Sequence, residues 1–487
     1  MSTRVSVICF LLLTVGLGGY YGAPFLGKGD KLAHLPGETS HGHHQIEVAC
    51  DQCHTPFGGV KNDACSKCHG AALTAANDSH PDSKFADPRN AERSAGLDAR
   101  SCVTCHREHV PDRTRAGVTV AGDFCIKCHL DVSQERPSHK DFATDSCSNS
   151  GCHNFHDNRA LYEDFLVKHL HEPDQLATVH VPLRGVSLIA EPVSATGTVD
   201  GGAYGDGDGG APGDVDGGQA TDADAGAQAP DAGMQASRQL TAKDRDAPPE
   251  AGNDAPLTAE WEKTAHAGAG VSCRGCHQQN DPRTGASKWQ SKLDHAACAS
   301  CHAMEDAGFL EGLHGMRLAS KLSPMTPEQA QLPMKAAAKH EQLGCNSCHR
   351  AHAFDTGHAA VEACVGCHDD QHTLAYKASR HFRLWELEQS GRAAKGTGVS
   401  CATCHLPREV HKEGGVTSVL VQHNQNANLR PNDKMIRSVC TSCHGLGFSV
   451  DALADPEMLR RNFNGRPGRH VTSLEMAEKR LKKKTGE

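Results

Sequence analysis

The stretch from Cys364 to His405 decides the fold. It opens Cys364-Val-Gly-Cys367-His368, runs through Asp370-Gln-His372, Tyr376 and Ser379-Arg-His381, and closes Cys401-Ala-Thr-Cys404-His405. Cys-x-x-Cys-His is the pattern of c-type haem attachment. Two thiols add across the two vinyl groups of haem, and the histidine that follows turns inward to ligate iron. A two-residue gap sets the sulfurs at the right separation.

Working outward, the pattern recurs along the whole chain. The first block carries Cys50/Cys53/His54, Cys65/Cys68/His69, Cys102/Cys105/His106 and Cys125/Cys128/His129. A looser fifth site reads Cys147, a four-residue gap, then Cys152-His153. Its bland alternatives are a local disulfide or a haem held by one thioether. The second block carries Cys273/Cys276/His277, Cys298/Cys301/His302, Cys345/Cys348/His349, Cys364/Cys367/His368, Cys401/Cys404/His405 and Cys440/Cys443/His444.

Chance at this composition supplies about 0.1 strict matches per chain. The chain has ten strict copies and one loose one, and together they use every one of its 23 cysteines except Cys9. Zinc sites pair Cys-x-x-Cys modules around one ion and give no reason for histidine after every pair. The cofactor expected is therefore haem c, about eleven groups, covalently attached.

Composition agrees. Aromatic residues make up 4% and hydrophobic residues 38% of 487 residues, a thin supply for a self-made core. Porphyrin rings would fill the interior instead. The net charge of −9 excludes a typical nucleic-acid binder.

Eleven of the 33 histidines follow the motifs, which leaves 22. Several sit where a distal iron ligand is expected. In the first block these are His41 and His44 from the cluster His41, His43 and His44, then His109, His139, His156 and His169. In the second they are His266, His295, His314, His340, His352, His372, His381, His411 and His423. For any one of them the bland reading is an exposed or core histidine. As a set they point to six-coordinate iron suited to electron transfer.

The organisation expected is a multihaem cytochrome in two domains, mainly α with much irregular loop, its cores organised by covalent haems. Residues 1–28 hold Arg4 and an uncharged run from Val5 to Leu26, read as a cleaved signal peptide or a retained membrane anchor. That places the rest in the periplasm or on the outer face of the cytoplasmic membrane. Residues 34–185 form a pentahaem domain. Residues 186–255 form a disordered acidic linker, since Asp200 to Asp231 is mostly Gly, Ala and Asp with eight aspartates. Residues 256–487 form a hexahaem domain. Legible helices are Ala160–His171, stopped by Pro173; His372–Gln389, ended by Gly391; one opened by Asp455-Pro456; and a basic, mostly solvated tail from Ser473 to Lys484.

The second block resembles the hydroxylamine oxidoreductase family of multihaem cytochromes over about Trp261 to Asp455. The resemblance rests on Gly344-Cys-Asn-Ser-Cys-His-Arg-Ala-His-Ala-Phe354, Glu362-Ala-Cys-Val-Gly-Cys-His368, Asp370-Gln-His372 and Tyr376-x-x-Ser379-x-His381. It continues in Gly398-Val-Ser-Cys-Ala-Thr-Cys-His-Leu-Pro407 and Phe309-x-x-x-x-His314-Gly315. It implies a largely helical domain, often a homo-oligomer, with one five-coordinate haem that works on small nitrogen species. Aligned on the family's last six haems, that open haem falls on His302. Oxidising members cross-link it to a tyrosine, and Tyr376 is the one tyrosine of this domain, which argues against oxidative chemistry. The first block is similar to the class III multihaem cytochromes, on motif density and on Cys102-Val-Thr-Cys-His-Arg-Glu-His109.

The leading expectation is an exported electron carrier of anaerobic, nitrogen or sulfur respiration, served by redox partner proteins or a membrane quinol-linked donor. Its alternative is an enzyme reducing or oxidising a small inorganic nitrogen or sulfur species such as nitrite or hydroxylamine. A metal-storage protein is a distant third.

Overall fold

The computed structural model describes residues 3–22, 31–55, 58–76, 80, 82–110, 117–121, 123–132, 155–156, 163–179, 181–183, 238–252, 254–280, 284–338, 342–413, 416–429 and 433–485. The chain falls into two compact units. One joins residues 1–187 with residues 302–487, and the other is residues 188–301.

Helix α1 (Thr3–Gly22) spans most of the uncharged run, and its apolar side chains from Val5 to Tyr20 are exposed. No helix of the described residues is long and apolar enough to cross a membrane.

Most haem motifs form one short helical turn, as at Cys50–Cys53, Cys102–Cys105, Cys273–His277, Cys345–His349 and Cys401–His405. A helical turn brings residues three apart onto one face, so both thiols point the same way. The second motif is embedded in a longer helix, α2 (Asn62–Ala76), which buries none of its residues. Asn62 ties this helix to the third motif: its Nδ2 donates to Arg100 O at 2.7 Å and its Oδ1 accepts from Cys102 N at 3.0 Å.

The helix expected over Ala160–His171 is α3 (Glu163–Lys168): residues 160–162 lie outside the described residues, and 169–171 form a turn, so it stops three residues early. The expected His372–Gln389 helix is two, α4 (Gln371–Tyr376) and α5 (Arg380–Gln389). Ser379 breaks it by turning its hydroxyl onto Phe382 N at 3.2 Å, an N-cap that restarts the helix in a new direction. Gly391 follows α5 at φ 70°, the left-handed stop expected of it.

A two-stranded antiparallel hairpin, β1 (Arg408–Glu413) and β2 (Val416–Val421), pairs Arg408 with Val421 and Glu413 with Val416. Then come α6 (Asp433–Ser438), α7 (Leu446–Ala454), α8 (Pro456–Arg460) and α9 (Ser473–Thr485). Asp455 caps α8, accepting from Glu457 N and Met458 N, with Pro456 at the first position.

Two apolar clusters form. Val361, Val365 and Tyr376 pack with Phe382 and Trp385. Leu166 of α3 packs with Ile436, Leu446, Leu474 and Ala477. The second cluster corrects two expectations. The tail α9 is not mostly solvated, because Leu474 and Ala477 anchor it. And the end of the first block is packed into the C-terminal helices rather than held apart by a tether. Main-chain hydrogen bonds agree: Leu176 N donates to Cys443 O at 2.9 Å and Gly445 N to Pro173 O at 3.1 Å. A Cβ on Gly445 would meet Pro173 O at 2.5 Å, so a glycine is needed for this approach.

In the second unit the chain is ordered well before residue 255. Leu240 N donates to Ala267 O at 2.9 Å, and Asp246 accepts from Ser272 Oγ at 2.7 Å and Arg274 N at 3.0 Å. Residues 238–252, expected as part of the linker over 186–255, are thus tied to the motif turn at Cys273 through Asp246, while 186–237 lie outside the described residues.

Candidate haem centres

Histidines meet two at a time. His54 faces His109 with ring centres 6.2 Å apart, His69 faces His43 at 5.8 Å, His106 faces His156 at 6.3 Å and His129 faces His80 at 6.1 Å. In the C-terminal part His349 faces His423 at 6.3 Å, His368 faces His314 at 6.1 Å, His405 faces His372 at 6.2 Å and His444 faces His381 at 6.3 Å. Every pair joins a motif histidine to one outside the motifs. Imidazole nitrogens bind first-row metals at about 2 Å, so two rings on opposite sides of one ion have centres about 6 Å apart. No cluster of three or more His, Cys, Asp or Glu side chains forms a metal site among the described residues. Two rings, plus two thiols on one face beside them, fit a planar macrocycle with axial ligands.

The ring orientation fits as well. Six of these imidazoles rest Nδ1 on a main-chain carbonyl: His106 on Gly117 (3.2 Å), His109 on Gly37 (3.1 Å), His80 on Phe155 (3.0 Å), His372 on Leu459 (2.5 Å), His423 on Val421 (2.8 Å) and His444 on Asp174 (2.8 Å). His277 does the same with Gln290 O at 2.6 Å, and Trp289 stacks on its ring at 4.8 Å. A carbonyl on Nδ1 fixes the proton there and leaves the Nε2 lone pair for a metal. Asn462 Nδ2 stands 3.1 Å from His372 Nε2, a contact that ligation would displace. Burial holds His314, His381 and His405 neutral, lowering each to about 4, and a metal takes the neutral form.

None of the described cysteines is joined in a disulfide. Burial raises the Cys65 thiol to about 11 and those of Cys404 and Cys440 to about 12. Secondary contributions show which motifs are neighbours. Cys65 is in hydrogen-bond contact with Cys102, Cys348 feels Cys364 and Cys367, and Cys404 feels Cys440 and Cys443. A hydrogen bond to Cys401 raises Cys364. The second and third motifs adjoin, and so do the eighth to eleventh in chain order.

Three attachment cysteines, Cys68, Cys301 and Cys348, are exposed. Cys68 is exposed, because it lies on α2, a helix that buries none of its residues. Cys301 is exposed as well. The helical turn of its motif, His295–Ala299, stops short of it, and only Cys301 N donating to Cys298 O at 3.1 Å continues the coil. Cys128 is half-buried and stands just past the 3₁₀ turn Phe124–Lys127, with its N donating to Cys125 O at 3.2 Å. The tighter 3₁₀ winding ends on Cys128 rather than carrying it on one α-helical face with Cys125. Protein packing alone therefore does not enclose Cys68, Cys301 or Cys348; a porphyrin bonded to them would supply the cover.

Of the distal candidates, His109, His156, His314, His372, His381 and His423 face motif histidines. His109 serves the first motif rather than the third, three residues before it. Its backbone is left-handed, φ 60°, which turns the ring away from its own motif. From the cluster His41–His44 the structure selects His43. His41 Nδ1 is bonded to Gln331 Oε1 at 2.8 Å, and His44 gives Nε2 to Gln329 O at 2.7 Å. His80 also escaped sequence reading, for it lies eleven residues past one motif and 22 before the next. Its one signal is aromatic company: Phe155 stacks on it at 4.1 Å. His411 stands on β1 with Nε2 3.7 Å from Glu409 Oε2, and His169 places Nδ1 2.5 Å from Glu172 Oε1. His266 lies in the turn Ala265–Gly268, His295 opens the turn His295–Ala299, and His302 stands just before the helix Ala303–Glu311 without a side-chain cap bond. His352 sits at φ 66° three residues past His349. Cys147, Cys152, His153, His139 and His340 lie outside the described residues.

A family model, cytochrome c3, matches residues 42–130. No curated protein matches the chain. The matched segment contains the first four motifs and four of the ring pairs' motif histidines, so covalent haem c and multihaem electron transfer belong to this chain.

Proposed function

We propose that the chain is an electron-transfer cytochrome with about eleven covalent haems, one per Cys-x-x-Cys-His site with the looser site at Cys147 included. It works outside the cytoplasmic membrane in anaerobic respiration, between redox partner proteins or a quinol-linked donor and a downstream acceptor. One observation carries the reading: eight motif histidines each face a second imidazole at the spacing of axial ligation. Two histidines saturate iron, leave no position for substrate, and suit it to passing electrons. Neighbouring motifs then supply a route through the protein.

The second reading makes residues 256–487 a hydroxylamine-oxidoreductase-like domain that reduces nitrite or a related species at one five-coordinate haem, with His302 its candidate. Tyr376 bears on this. It is buried among Val361 and Val365, and its hydroxyl donates to Val399 O at 2.8 Å. A tyrosine so committed supports the main chain ahead of Cys401 and favours reduction or simple transfer over oxidation.

The EPR spectrum of the oxidised, haem-loaded chain tests both. Low-spin ferric signals alone support the carrier. A high-spin signal near one per chain overturns it in favour of the enzyme. A pyridine haemochrome assay giving one or two haems per chain would end both readings.

A further inference from the structure

The segment His106-Arg107-Glu108-His109 touches three haem centres. His106 faces His156, His109 faces His54, and between them Glu108 reaches a third centre. Its Oε1 accepts from His43 Nδ1 at 2.7 Å and from Ser40 Oγ at 2.8 Å, and its Oε2 accepts from Ser40 N at 2.5 Å. His43 is the ring that faces His69.

This contact differs in kind from the six in which Nδ1 rests on a neutral carbonyl. A carboxylate is ionised at neutral pH and its hydrogen bonds are about twice as strong as neutral ones. Drawing the Nδ1 proton toward an anion pushes electron density onto Nε2 and makes the imidazole a stronger donor. A stronger donor and a nearby negative charge both favour ferric over ferrous iron. Among the described residues, the one ion-pair partner of Glu108 is His43 itself, while the lysine that acts on this centre, Lys434, bears on the His69 ring rather than on the carboxylate.

A related segment lacks the carboxylate. It reads His349-Arg350-Ala351-His352, with His352 at φ 66° where His109 has φ 60°, although Arg350 is left-handed too, at φ 56°, as Arg107 is not. There the position of Glu108 is an alanine. A left-handed histidine three residues past the motif is thus reached there without a carboxylate.

We propose that Glu108 is a positioning residue that sets the potential of the iron held between His43 and His69, making it the hardest to reduce of the four centres in residues 31–132 and 155–156. On reduction one electron enters that iron, and the proton stays on His43 Nδ1. Electrons crossing the first block would then meet this centre as a barrier, since the second motif adjoins the first at Cys53 and Cys68 and the third at Cys65 and Cys102.

This rests on the bis-histidine reading of His43 and His69, and the experiment separates the two. Haem-loaded full-length wild type, Glu108→Gln, Glu108→Ala and Glu108→Asp are titrated potentiometrically, with dithionite as reductant and the low-spin EPR signals as readout. In Glu108→Gln one one-electron step moves up by at least tenfold in the ferric-to-ferrous ratio, about 59 mV. Glu108→Ala moves it at least as far, and Glu108→Asp keeps it nearer the wild-type position. Unmoved steps in both Gln and Ala variants, or a downward shift, overturn the role of Glu108. His43→Ala converts one haem to high spin if the ligand reading holds. Failure of that conversion overturns the ligand reading itself, whatever the titration gives.

Discussion

The first block and the C-terminal helices reach the same iron geometry with different interiors. Between residues 31 and 132 the described residues bury Thr39, His44 and Ala49, one apolar side chain of a single carbon. The C-terminal part buries Val361, Val365, Tyr376, Met435, Ile436, Leu446, Ala452, Met458, Leu474 and Ala477. A segment with so little apolar surface to bury cannot offset the entropy of ordering its chain. The first block therefore takes its stability from haem, while the second adds a protein core to the same device.

The sharpest way to break this contrast is to withhold haem. In chain produced without haem attachment, limited proteolysis followed by mass spectrometry should cut throughout residues 31–132 first, while fragments holding both apolar clusters survive longer. Equal rates would remove the distinction. Next in size is Leu446→Ala, which empties a fully buried position and should lower stability by about 3 kcal/mol. Chemical denaturation followed by circular dichroism should show the C-terminal helices melting earlier, with the four first-block EPR signals unchanged.

Ligand removal should act alike in both regions. His109→Ala and His372→Ala each take one imidazole from a pair, so each should turn one low-spin haem high-spin by EPR integration without unfolding the chain. A loss of fold in His109→Ala alone would sharpen the contrast, since only haem holds that region.

The smallest effect is a pH dependence confined to the C-terminal part. His470 bridges Asp451 at 2.8 Å and Glu475 at 2.6 Å, and these contacts raise its pKa above the ordinary 6.5. The clasp between α7 and α9 is thus fully present below about pH 6.5 and lost as pH rises through the raised value. Cleavage of α9 by protease should accelerate over that range in wild type and lose the dependence in His470→Gln.

Covalent attachment was legible because its chemistry is local. Two thiols and a histidine within five residues need nothing from the rest of the fold, so each copy could be read from the string alone. The setting of each thiol was less so: the exposure of Cys68, Cys301 and Cys348 and the place of Cys128 past its turn follow from how each motif meets its own helix. The abundance of histidine and the shortage of aromatic residues said further that two imidazoles and a porphyrin take the place of a conventional core. Which histidine serves which motif was not local. His109 turns to the first motif because of one left-handed residue, His43 rather than His41 or His44 is the ring that meets His69, and His80 reaches His129 from 49 residues away. The joining of Leu166 to the C-terminal helices is of the same kind. Sequence sets which groups can bind iron or bury themselves; only three-dimensional packing, acting over distances that no spacing rule records, decides which two of them meet.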